Sequence, residues 1–161
     1  MAQTLPALSL VAVPGRRHAT LDIAREAERR GFTGLYVPSI FGNMAQCTAL
    51  ALATERIPLA TAIAPIYART VEDFAHSAAY IHEVSGGRFR FGIGVAHAPS
   101  HIRMGVTPGK PLADIRSFVA KFRAFPDSNY ELCASNPQAI KFLSGMFLRI
   151  RTFLIRRDWV G

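Results

Sequence analysis

The chain has 161 residues, carries a formal net charge of +8, and is 50% hydrophobic with 19% charged residues. That length usually means one domain, and the composition excludes a chain disordered over most of its length. The charge is scattered over isolated pairs such as Arg16-Arg17, Arg29-Arg30 and Arg156-Arg157, with no basic block interleaved with aromatics, so nucleic-acid binding is not expected.

Residues 7–13 (ALSLVAV) form a continuous apolar run, the pattern of a strand buried on both faces, closed by Pro14-Gly15. Residues 20–30 predict a helix with Leu21, Ala24 and Ala27 inward, stopped by Gly31. Residues 33–37 predict the second strand, 38–43 a loop, and 44–54 a helix rich in alanine and leucine. Residues 57–63 predict the third strand.

The stretch from 60 to 100 organises the rest. Thr70 suits a helix N-cap, with Asp73 three residues on to complete a capping box. Val71, Phe74, Ala78 and Ile81 recur on one helical face, and Ser85-Gly86-Gly87-Arg88 ends the helix, since glycine accepts the left-handed cap conformation. Residues 89–95 predict the fourth strand and 96–110 a longer loop. Pro111 suits the first position of a helix whose stripe is Leu112, Ile115, Val119 and Phe122, ending near Ala124. Four βα units in succession imply a parallel sheet with right-handed crossovers, either doubly wound or part of a (β/α)₈ barrel.

After residue 124 the rhythm is lost. Residues 125–136 hold proline, asparagine and serine, and Pro137 suits a helix start. Ile140, Leu143, Phe147, Ile150 and Leu154 then share one face and Lys141, Arg149, Thr152 and Arg156 the other. Three readings of this basic amphipathic tail stay open: a membrane-surface or partner-binding helix, a terminal helix packed on the domain, or a segment foreign to the fold.

Cys47 falls in an apolar helical pattern and Cys133 in the tail, and neither has CxxC spacing. No metal site or redox pair is expected, and a cytoplasmic, reducing location fits. No secretory signal is expected, because no basic segment precedes the first apolar run. The apolar stretch around 57–68 is shorter than the roughly 20 residues a membrane span takes, so a membrane is not an expected partner.

Gly31-Phe32-Thr33-Gly34-Leu35-Tyr36 resembles the luciferase-like monooxygenase family of flavin- and F420-dependent oxidoreductases. So does the run from Tyr67-Ala68-Arg69 through Ser85-Gly86-Gly87-Arg88 to Gly92-Ile93-Gly94-Val95. The resemblance covers roughly residues 5–124. It implies the N-terminal half of a (β/α)₈ barrel over residues 1–124, a partial TIM barrel of about four of the eight βα units. Residues 125–161 would be a divergent tail, helical from about 137.

The resemblance also implies sites at the C-terminal strand ends. A bulge with a non-proline cis peptide, supporting the cofactor ring, maps onto Ala62, Ile63 and Ala64; the alternative is ordinary buried strand. Ser39 is placed to hydrogen-bond ring or substrate, or is a turn serine. Gly92 and Gly94 make a GxG, but position 97 is His and no helix is expected at once, so close packing in a barrel is favoured over a dinucleotide fingerprint. His97, just past the fourth strand, is the candidate catalytic proton donor or acceptor, the alternative being a surface loop histidine. His101 is a weaker candidate, and His76 and His82 read as structural. Arg69 faces an anionic cofactor group or pairs at its helix start, while Arg88 fixes the helix–strand turn.

Two functions follow. One is an oxidoreductase taking F420 or FMN, with F420 preferred because the GVAHAPSHIRMGV loop resembles that branch, acting on a small-molecule substrate. The other is a non-catalytic half-barrel that associates with itself or a partner. Homo-oligomerisation stays open.

Overall fold

The structure is a computed structural model and describes residues 5–39, 42–125 and 153–154. Among them, parallel strands alternate with helices. Strands β1 (Leu8–Ser9), β2 (Leu35–Pro38), β3 (Leu59–Ala62) and β5 (Phe89–Arg90) form one sheet in the order β1-β2-β3-β5. Strand β4 (Ala64–Pro65) continues beyond β3 but pairs with β6 (Gly92–Gly94) in a second sheet. Helices α1 (Arg17–Arg30), α2 (Asn43–Ala53) and α3 (Val71–Val84) make the crossovers, and α4 (Ala98–Met104) and α5 (Pro111–Arg123) follow β6. This is the parallel α/β architecture that the βα rhythm implies, as an arc of a barrel wall.

Period-two alternation sorts the strand residues. Leu35, Val37, Leu59, Phe89 and Ile93 face the helices and pack with Ala24, Ala27, Leu50, Phe74, Ala78 and Ile81 in the main core. Tyr36, Ala60 and Ala62 lie on the opposite, inner face as a separate small cluster with Ala7 against it. Aromatic rings close the core under α5: Phe91 stacks on Phe122 at 5.3 Å and Phe118 on Phe122 at 6.0 Å.

Caps behave largely as the sequence dictates. Gly31 is left-handed (φ 80°) and its N–H reaches the Ala27 and Glu28 carbonyls. The Thr70 hydroxyl accepts from the Asp73 N–H at 3.1 Å, but the capping box is only half made. The Asp73 carboxylate turns instead to Arg69, at 2.8 Å.

Several expectations are corrected. The 7–13 run is not a strand buried on both faces: β1 covers only Leu8–Ser9, and Val11 and Val13, past its end, are 49% and 52% exposed. The first helix starts at Arg17, earlier than Thr20. The third and fourth strands are each broken. The Ala62–Ile63 peptide bond is cis, and the chain changes sheet there. In the fourth strand the break falls at Phe91, whose ring is fully buried among Phe74, Phe89 and Phe122. The Thr61 hydroxyl bridges this gap by accepting from the Gly92 N–H (2.9 Å) and donating to the Gly92 carbonyl (2.7 Å). The segment 96–110 is not all loop, since it contains α4. On α5, Ile115, Phe118 and Phe122 are buried, while Leu112 is 43% exposed, because the aromatic stack draws in Phe118. Of the tail, Phe153–Leu154 forms strand β7 antiparallel to β6, so Leu154 is in a strand rather than on a helical face. The rest of the helix expected from about 137, and Cys133, lie outside the described residues.

Candidate functional site

The register of the strands assembles the site. Pro38 pairs with Ala62, Ala64 with Ile93, and Pro65 with Gly94. The C-terminal ends of β2, β3, β4 and β6 therefore lie side by side, which is where parallel α/β barrels hold their ligands. Ser39 follows β2 directly and is half-buried.

Ala62 and Ile63 are joined by the cis peptide, at the place where the family resemblance puts one. Ala62 faces the inner side, Ala64 the main core. The Ile63 side chain is 5% exposed and fills the space beside Gly94: a Cβ at Gly94 would sit 3.1 Å from Ile63 Cδ1. Gly94 is thus small because Ile63 packs on it, which agrees with the close-packing account of the GxG. The Ile63 carbonyl accepts a long hydrogen bond of 3.4 Å from the Asn43 amide, which is buried at the start of α2.

His97 is the exposed N-cap of α4, three residues beyond β6. Ala96 before it takes a positive φ of 61° and turns the chain away from the strand, a conformation L residues rarely adopt. The His97 carbonyl accepts from the Ser100 and His101 N–H groups, and its Nδ1 lies 3.4 Å from the buried Ser100 hydroxyl. His97 is thus oriented from its own helix and makes no side-chain hydrogen bond to Ser39 or to residues 62–64. His101 points back to the strand, where its Nε2–H donates to the Val95 carbonyl at 2.5 Å. Its part is to hold the strand end.

Arg69 pairs with Asp73 and so takes the helix-start alternative. Arg88 does more than fix one turn. It donates to the Ser85, Ala51, Thr54 and Ile57 carbonyls and to the Thr54 hydroxyl, at the opposite end of the strands.

Sequence reasoning missed Asn43, Ser100, Tyr67 and Asp114. The Tyr67 hydroxyl donates to Asp114 at 2.6 Å, and burial followed by that bond pushes the phenol up to about 12. On the inner face burial also raises Tyr36, opposed by the Arg90 charge. Burial likewise pushes the Cys47 thiol up, so it is no reactive thiolate. A cavity of about 330 Å³ between the N-terminal halves of α1 and α2, lined by Arg17, His18, Thr20 and Gln46 among others, shares no residue with this site. Among the described residues no group of three or more His, Cys, Asp or Glu could hold a metal ion, and no helix is long and apolar enough to cross a membrane.

This arrangement, parallel strands alternating with helices, is an arc of a (β/α)₈-type barrel. The family model for luciferase-like monooxygenases matches residues 4–131, and the chain belongs to that family. It is 30% identical over 105 residues to a 5,10-methylenetetrahydromethanopterin reductase from Methanolobus tindarius, which covers 63% of this chain and 32% of that protein. It resembles in fold an F420-dependent secondary alcohol dehydrogenase in complex with an F420-acetone adduct (TM-score 0.66, 20% identity, 84% of this chain and 46% of that one). It also resembles the oxygenating constituent of 3,6-diketocamphane monooxygenase from Pseudomonas putida, in complex with FMN (TM-score 0.63, 17% identity, 75% and 40%). The chain thus spans about a third of the reductase and under half of each solved structure.

Proposed function

We propose that the C-terminal strand ends contribute to an oxidoreductase site that takes F420 or FMN, with F420 preferred, and acts on a small organic molecule. The observation that carries this is the convergence of Ser39, the Ala62–Ile63–Ala64 main chain and the Gly94 strand end across neighbouring strands. The residues fit a flat ring: Ala62 is small at the strand end, so a planar group can approach the backbone there, with Tyr36 on the same inner face further back along the strands. F420-dependent and FMN-bound proteins among the similar structures support the cofactor class, and the 94–106 loop supports the preference for F420.

When bound, such a cofactor supplies hydride transfer or, in the FMN case, oxygen activation. Residues 62–64 would hold the ring through their main chain. Ser39 would orient ring or substrate through its hydroxyl. His97 would hold or receive a proton at its imidazole. A cytoplasmic setting and a small-molecule substrate belong to the same proposal.

The test is a fluorescence titration of the purified chain with F420 and, separately, FMN, with size-exclusion chromatography alongside. Saturable binding of F420, tighter than FMN, by a defined species is expected. No saturable binding of either overturns the proposal.

A further inference from the structure

We propose that Tyr67 is a positioning residue whose hydroxyl, bound to Asp114, latches the 96–110 segment against the C-terminal strand ends. The proposal rests on the preceding one only in giving His97 its purpose.

Tyr67 lies two residues beyond β4, and Asp114 lies in the first turn of α5, 47 positions away. One carboxylate oxygen, Asp114 Oδ2, accepts both the Tyr67 O–H at 2.6 Å and the Gly109 N–H at 2.9 Å. That ties down the C-terminal end of the segment. At the other end, His101 donates to the Val95 carbonyl, and its ring meets the Tyr67 ring edge-on at 5.6 Å and 83°. Tyr67 therefore touches both anchors, Asp114 with its hydroxyl and His101 with its ring. Its high pKa keeps the hydroxyl a donor at ordinary pH. The Tyr67 ring already packs against the main core, so a phenylalanine would fill the same space. What the hydroxyl adds is the bond to Asp114, which holds the Gly109 N–H at the end of the segment that carries His97.

The experiment is amide hydrogen exchange on the full chain, comparing the wild type with Tyr67→Phe, Asp114→Ala and Asp114→Asn. F420 titrations are run on the same proteins. Tyr67→Phe and Asp114→Ala are expected to speed exchange within 97–110 by roughly tenfold or more, with α1 to α3 unchanged, because a hydrogen bond to a charged group is lost locally. Asp114→Asn should stay near wild type, since the amide oxygen can take over the role of Oδ2. F420 affinity should fall by about tenfold in the first two variants and by less than about twofold in the third.

Unchanged exchange in 97–110 overturns the latch. So does an equal rise in α1 to α3, which would mark a general loss of stability. Should Tyr67→Phe fail to fold, Gly109→Ala decides the matter, because its Cβ would meet Asp114 Oδ1 at 2.8 Å and displace the carboxylate without touching Tyr67. The same local rise in exchange supports the latch, and its absence overturns it. If the wild type binds neither F420 nor FMN, the proposed function falls, while the exchange data still decide the latch.

Discussion

At the N-terminal end of the strands two charged side chains bind main chain from several elements. The Glu28 carboxylate accepts from the Glu55, Arg56 and Ile57 N–H groups, joining α1 to the turn before β3. Arg88 donates to four carbonyls and a hydroxyl from the end of α2, the start of β3 and the end of α3. At the C-terminal end the contacts are spread over separate side chains rather than gathered on two: Asn43 to the Ile63 carbonyl, His101 to the Val95 carbonyl, Ser100 beside His97, Tyr67 to Asp114. The difference teaches where each kind of constraint is useful. Main-chain groups are present whatever the sequence, so a rim built on them is rigid and serves stability. A rim of separate contacts, each made by a different side chain, holds particular residues in place and serves a site.

The comparison breaks if the two rims respond alike to substitution. The largest effect is expected from Arg88→Ala, which leaves five acceptors without their donor and should cost roughly 3–5 kcal/mol in urea unfolding. Arg88→Lys should recover only part of this, because an ammonium lacks the planar fork of donors. Next comes Thr61→Val, which keeps the shape but strands both polar groups of Gly92 in the core; a loss of about 2–4 kcal/mol is expected by the same measurement.

A smaller, pH-dependent effect sharpens the picture of the lower rim. Burial raises the Glu28 carboxyl, but the backbone donors of Arg56, Ile57 and Glu55 outweigh it and the net shift is downward. A depressed carboxylate stabilises the fold above its ordinary value and loses that stabilisation as pH falls through the lowered one. Urea unfolding from neutral pH down to about pH 3 should therefore show a shallower acid loss in Glu28→Gln than in the wild type. The smallest effect is expected at His97. His97→Gln should change stability by less than about 0.5 kcal/mol, because the side chain is exposed, while abolishing any cofactor-dependent turnover.

The fold was legible where the signal is local and repeated. Apolar runs marked β2 and β3, Gly31 and Gly86-Gly87 marked helix ends, and Thr70 marked a start. The strand breaks were not legible, since a cis bond at Ala62–Ile63 and a buried ring at Phe91 leave the apolar pattern unchanged. Helix α4 escaped because it has only 7 residues, although Pro99 near its start and Gly105 after its end were available as signals. Asp73 matched a capping box but had a stronger partner in Arg69, which a spacing rule does not weigh. For the site, the strand-end positions of Ser39, Ala62, Ile63, Ala64, Gly94 and His97 followed from the βα rhythm and the family resemblance. The supporting contacts did not, because Tyr67 and Asp114 are 47 residues apart and nothing local links them.

The Thr61 hydroxyl carries one more consequence. Where β3 parts from β5, alignment of the third and fourth strands is keyed by one side chain rather than by main chain. A slip by one residue in either direction would bring Ala60 or Ala62 to that place, and a methyl group can neither donate nor accept. Thr61 thus acts as a checksum for strand alignment. Serine, the smallest side chain that also both donates and accepts through a hydroxyl, is the replacement expected to preserve it.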